Sequence, residues 1–185
     1  MSRSNEVGEK RKQRLIRNPS FLIETIYLII ITIITLLVAF DYIDTGSFLG
    51  PLRVSHWFGI IGAAYMVFYT PFFYIFKRKS PNYYKLLMHF HVFGFTTAYL
   101  CISIHFAGQI GRPLQFYPDL GGGLALYIIT SLLVATGYLH RYHPIKIMKG
   151  KGKYVPSHVN RVLHVSLLSG LFIILFIHAL INSLP

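Results

Sequence analysis

Cysteine and charge are both scarce in this chain of 185 residues. A single cysteine, Cys101, leaves no internal disulfide framework and no four-cysteine zinc or iron–sulfur site. Charged residues make up only 13%, against roughly 25% in a soluble domain. Acidic residues are the rarest of these, six against 18 basic ones, and the net charge is +12. What is abundant is apolar: 54% hydrophobic residues and a mean hydropathy of +0.52. That balance argues against a soluble fold and excludes intrinsic disorder, which needs the opposite composition.

The apolar residues fall into five runs of about 20, each long enough to cross a hydrocarbon core of about 30 Å as a helix. The expected spans are 21–40, 54–76, 86–107, 121–140 and 159–181. Turn-forming stretches separate them: Gly46 to Pro51, Ser80-Pro81-Asn82, Gly108 to Gly123, and Pro144 to Pro156. Pro71 falls inside the second span and is expected to kink it. The first run is too long for a signal peptide and lacks a small-x-small cleavage pattern, so it reads as a retained anchor. Residues 1–20 form a basic tail and residues 21–185 one membrane domain. The expected fold class is all-α, an integral membrane bundle of five transmembrane helices in the cell (plasma) membrane.

The basic residues are sorted by side. Six lie in the tail; Lys77, Arg78, Lys79 and Lys85 follow span two; Arg141, Lys146, Lys149, Lys151, Lys153 and Arg161 follow span four. Only Arg53 and Arg112 lie on the other side, with Asp41, Asp44 and Asp119. The positive-inside rule then puts the N-terminus in the cytoplasm and the C-terminus outside. It also accounts for the high pI as topology plus attraction to anionic membrane lipid, with no nucleic acid partner.

Nine histidines in so apolar a chain are the distinctive feature. Four sit within spans at a repeated spacing: His91 and His105 on span three, His164 and His178 on span five, each pair 14 residues apart. At about 100° per residue, fourteen steps end about 40° short of four turns, so both rings of a pair share a face. The rise is about 21 Å, which puts one ring near each membrane surface. Other spacings fail: His89 to His105 is about 160° out of phase, and His158 to His178 about 200°. Spans three and five run in the same direction. His91 therefore matches His164 in depth near the cytoplasmic side, and His105 matches His178 near the outer side. A lone histidine on an apolar face is usually satisfied by a nearby oxygen. Two matched pairs instead offer what two stacked hemes need, a neutral imidazole on each axial position of each iron. Iron ligated in this way has no open position, which favours electron transfer over oxygen binding.

The surroundings are read in the same light. Gly94 and Ala98, with Phe95 and Ile102, leave room on the span-three face for a flat macrocycle or a close helix. Leu167, Leu168, Leu171 and Leu175 form an apolar wall on span five. Propionates need cations at the surfaces: Arg112 and Arg53 outside, and Arg161, Lys85 and Arg141 inside. His56, His140, His143 and His158 read as interfacial histidines. His56 is also a candidate proton relay or acceptor contact, and His140 and His143 are candidate contacts for a propionate or a donor. Cys101 reads as a core residue. Glu24, the only carboxylate well inside a span, is expected to snorkel, to pair with Arg17 or to serve a proton path. The run Gly121-Gly122-Gly123 opens a span and lacks the context of a nucleotide-binding loop.

In the order and spacing of these four histidines, residues 55–182 resemble the membrane domain of the ferric reductase and NADPH oxidase superfamily. Its relatives include bacterial heme subunits that serve a periplasmic methionine sulfoxide reductase. The resemblance implies two b-type hemes held between spans three and five by His91, His105, His164 and His178, with a cytoplasmic N-terminus. Flavoenzyme members continue into FAD- and NADPH-binding domains. This sequence ends at Pro185, so it is expected to act as an electron-transfer subunit and not as a complete enzyme.

The expected function is that of a di-heme cytochrome b carrying electrons across the membrane. The donor would be a flavin, iron–sulfur or cytochrome partner subunit, or membrane quinone in its reduced form. The acceptor would be an outer-side oxidant or partner. Two other classes are kept in view: a histidine-based metal or proton transporter, and a quinol-reactive or purely structural membrane anchor.

Overall fold

The computed structural model describes residues 18–110, 121–142 and 157–183. The first helix, α1 (Pro19–Ala39), starts where Asn18 Oδ1 accepts the Ser20 amide at 3.1 Å, with proline in the first turn. It stops at Asp41, whose φ of 59° is left-handed, while the Tyr42 amide turns back to the Leu37 carbonyl at 2.9 Å. A small antiparallel hairpin follows, β1 (Phe48–Leu49) and β2 (Leu52–Arg53), turning at Gly50. Trp57 Nε1 donates to the Leu49 carbonyl at 2.8 Å and ties the hairpin to the next helix.

That helix, α2 (Val54–Lys79), runs on through Pro71 and ends in the basic turn Lys77-Arg78-Lys79. The third span, Pro81–Ile110, is composite. A 3-10 turn (Pro81–Tyr83) leads into α3 (Tyr84–His89), then a π-helical turn (Phe90–Gly94), then α4 (Phe95–Ile110). The last two helices are α5 (Gly121–Tyr142) and α6 (Ser157–Ser183). Among the described residues, five helices are thus long and apolar enough to cross a membrane, close to the spans expected from the sequence. The chain is an all-α, multi-pass membrane protein.

Its outer surface fits that setting. Large apolar side chains such as Ile23, Ile33, Phe68 and Phe176 are exposed, which in water would be a liability and in lipid is not. Most threonine hydroxyls inside the helices are satisfied locally. Thr32, Thr70 and Thr130, among others, donate to the carbonyl one turn back at 2.7–2.9 Å, because lipid offers no alternative acceptor.

The main packing pairs are α2 with α4 and α5 with α6; α4 also packs on α1 and α5. Met66, Ala98, Leu126, Leu133 and Leu171 form the central core. Ala98 lies seven residues from both His91 and His105, and Leu171 seven from both His164 and His178. The driest part of the bundle therefore separates two histidine levels by about 10 Å on each side. Small residues bring α2 and the third span together. A Cβ on Gly62 would meet the Ala98 carbonyl at 2.8 Å, and one on Gly94 would meet Tyr65 Oη at 1.7 Å. Of the two uses expected of Gly94 and Ala98, both here serve the close helix. Cys101 is buried in α4, as a core residue should be.

Candidate cofactor site

The π turn carries His91. A turn closed by i to i+5 bonds leaves its neighbours' carbonyls partly unserved. Two α2 tyrosines supply donors: Tyr65 Oη to the Phe90 carbonyl at 2.8 Å and Tyr69 Oη to the Leu87 carbonyl at 2.7 Å. The His91 ring stacks on Phe73 (centroids 4.5 Å apart) and tilts against Phe95 (4.8 Å). Across from it, on α6, lies His164, with ring centroids 6.5 Å apart and planes at 65°. Two imidazoles bound to opposite sides of one metal need about 2 Å from metal to nitrogen and about 1 Å from nitrogen to ring centre, twice over, or about 6 Å in all. The observed separation matches.

The protonation pattern at His164 suits a ligand. Its Nδ1 lies 2.9 Å from Thr136 Oγ1, and that hydroxyl also reaches the Leu132 carbonyl at 2.8 Å and the Leu133 carbonyl at 3.0 Å. With the hydroxyl proton on a carbonyl, Nδ1 carries the hydrogen and Nε2 the lone pair. His91 Nδ1 is buried without a hydrogen-bond partner. Both rings line one cavity of about 290 Å³. Phe73, Phe95, Leu133 and Leu168 make its walls apolar, and Lys77, Arg141 and Arg161 bring cations to it. Of the cations expected on the inner side, Arg161 and Arg141 line the cavity; Lys85 does not line it, and Lys77 takes a place there.

Glu24 enters the same cavity and is 1% exposed. Its partner among the described residues is Arg141 of α5; Arg17, the partner expected from the sequence, lies outside them. His140 also lines the cavity. His89 gives Nδ1–H to the Lys85 carbonyl at 2.7 Å, and His158 is exposed at the start of α6. His143 lies outside the described residues.

At the other level, His105 Nδ1 is 3.0 Å from the Ser55 carbonyl. A carbonyl only accepts, so Nε2 again holds the lone pair. The ring sits against Gly59, where a Cβ would come within 2.8 Å of its Cγ. The His56 ring lies 5.4 Å away, closer to this site than the sequence suggested. His178 abuts α5 at Gly122, where a Cβ would lie 3.2 Å from its Nδ1. Arg112 lies outside the described residues, and Arg53 caps the Phe48 ring at 5.3 Å.

Each histidine pair does share a face. Both rings of the third span meet α2, and both rings of α6 meet α5, where His164 faces Gly137. The structure brings His91 and His164 together; for His105 and His178 it shows the helix that each abuts. The glycines opposite the histidines were not singled out in the sequence, yet Gly123 and Gly137 repeat the spacing of 14. Among the described residues, no group of three or more His, Cys, Asp or Glu is placed to hold a metal ion. No protein-family model, curated protein or solved structure matches the chain.

Proposed function

We propose that this protein is a di-heme b-type cytochrome subunit that carries electrons across its membrane, with the N-terminus in the cytoplasm. The observation that carries this reading is the His91–His164 pair, 6.5 Å apart on the wall of an apolar cavity edged by cations. His91 and His164 would hold the inner heme, and His105 and His178 the outer one. When bound, heme supplies the one-electron couple.

The chain's own residues do the rest. Thr136 and the Ser55 carbonyl orient the rings of His164 and His105 through Nδ1. Arg161 and Lys77 offer counter-charges for the carboxylates of a dianionic macrocycle. The core of Met66, Ala98 and Leu171 keeps water from the region between the two levels.

A pair of imidazoles is a poor cage for a bare cation, which takes four or more donors. It would suit a metal already carried by a prosthetic group such as heme. That favours the cytochrome over a metal transporter. The likeness of residues 55–182 to the ferric reductase and NADPH oxidase membrane domain points the same way. Donor and acceptor would belong to partner subunits or to membrane quinone.

The test is a reduced-minus-oxidised spectrum and a pyridine hemochrome assay on the purified full chain. Two b-type hemes per chain are expected. A colourless protein after expression with ample heme supply would overturn the proposal.

A further inference from the structure

The Glu24–Arg141 ion pair has no part in the ligation just described. Glu24 sits in α1, an otherwise uncharged helix, and is 1% exposed. It reaches Arg141 near the end of α5. Glu24 is buried and Arg141 half-buried, at 24% exposed, and such a pair is weak support for a fold, because desolvation offsets most of the attraction. Tyr142 lies against the pair, yet Glu24 Oε2 and Arg141 Nε are both buried without a hydrogen-bond partner among the described residues. A half-satisfied buried network raises the cost further. A neighbouring contact already joins the same two helices at no such cost, the 2.7 Å bond between Thr25 Oγ1 and Tyr138 Oη. Anchoring α1 to α5 is therefore a poor explanation for the charges.

Their position supplies a better one. Both side chains line the cavity between His91 and His164, and Arg141 lies within electrostatic reach of both rings. The other charged or titratable groups facing this cavity are Lys77 and Tyr74 from α2, His140 from α5 and Arg161 from α6. Tyr142 of α5 lies against the ion pair itself. Glu24 is the only carboxylate among the described residues that line the cavity.

We propose that Glu24 is a positioning residue that holds Arg141 in the cavity wall and screens its charge, so that the pair sets the reduction potential of the inner site. This rests on the cytochrome reading. Adding an electron to the site is favoured by nearby positive charge. With Glu24 present the guanidinium is neutralised; without it, a full positive charge faces the site at low effective dielectric. Losing Arg141 does not produce the mirror-image effect. A lone buried carboxylate takes up a proton and leaves no charge behind.

The experiment is a potentiometric titration of the full-length protein, following the absorbance of each heme. Glu24→Gln should shift the reduction equilibrium of one heme about tenfold toward the reduced form, about 59 mV for one electron. The other heme should stay within twofold of its starting value. Arg141→Gln should give no such rise, and the double variant Glu24→Gln with Arg141→Gln should return to within twofold of the wild type.

A merely structural pair would lose heme in both single variants with no rise in potential, and that result would overturn the proposal. So would a double variant raised as far as Glu24→Gln. If Glu24→Gln fails to load heme, Glu24→Ala together with Arg141→Lys carries the test: the first should raise the potential, and the second should leave it within twofold. Wild-type protein without heme would instead remove the cytochrome reading, and this inference with it. Heme-loaded protein with unmoved potentials would remove this inference alone.

Discussion

His164 Nδ1 lies 2.9 Å from Thr136 Oγ1, whose hydroxyl also reaches the Leu132 carbonyl at 2.8 Å. With its proton on that carbonyl, a threonine one helix away decides which imidazole nitrogen is a base. Thr136→Val keeps the shape and removes the acceptor. Loss of such an outer partner costs about 10–100-fold in metal affinity. Heme titration of the purified variant should show that loss at one of two sites, with the second site unchanged.

His91→Ala and His164→Ala should empty the same heme site, because the two rings face one cavity. The double variant should lose no more heme than either single variant. Hemochrome content per chain and low-temperature spectra check this. Different hemes lost from the two single variants would break the pairing.

Gly94 lies under Tyr65, and a Cβ there would meet Tyr65 Oη at 1.7 Å. Gly94→Ala must push the tyrosine off the Phe90 carbonyl. The expected cost is about 1–3 kcal/mol, the usual range for overpacking. Tyr65→Phe alone should cost about 1 kcal/mol by removing one hydrogen bond. In the Gly94→Ala background it should recover part of the loss, because the clashing oxygen is gone. Thermal unfolding in detergent measures all three variants.

The glycines opposite the histidines are not equivalent. A Cβ at Gly59 would come within 2.8 Å of the His105 ring, whereas one at Gly137 would lie at an ordinary 3.7 Å from His164. Gly59→Ala should displace His105 from the Ser55 carbonyl and weaken the outer heme. Gly137→Ala should leave the inner one intact. Heme content and the two midpoint potentials tell these outcomes apart.

Outside the spans, the Asp44 carboxylate accepts the Gly46 amide at 2.7 Å and the Ser47 hydroxyl. The Ser47 bond first, and the Gly46 amide after it, hold its pKa below the ordinary 3.8. A carboxyl lowered in the fold contributes order that is fully present above its ordinary value. That order is lost as the pH falls through the lowered one. An NMR titration of the Asp44 carboxyl should give a midpoint below 3.8, and the turn should lose order only in that acid range. Asp44→Asn should abolish the transition.

The spans were legible because lipid imposes length and composition directly: Phe21–Phe40 and Val159–Ile181 announce themselves as unbroken apolar runs. The histidine levels were legible because a spacing of 14 is close to a whole number of helical turns. The partner of Glu24 was not, since the ion pair joins α1 to α5, 117 positions apart, and no periodicity encodes such a meeting. The composite third span was hidden too. Nothing in Phe90-His91-Val92-Phe93-Gly94 marks a π turn by propensity. What makes it affordable is a pair of tyrosines on another helix.

That dependence has a consequence for assembly. The wide turn under His91 leans on hydroxyls borrowed from Tyr65 and Tyr69, so the third span cannot complete it alone after insertion. Docking of its predecessor must come first. Biogenesis would then have a built-in sequence, with the second and third segments zipping into a template before the final segment closes over it.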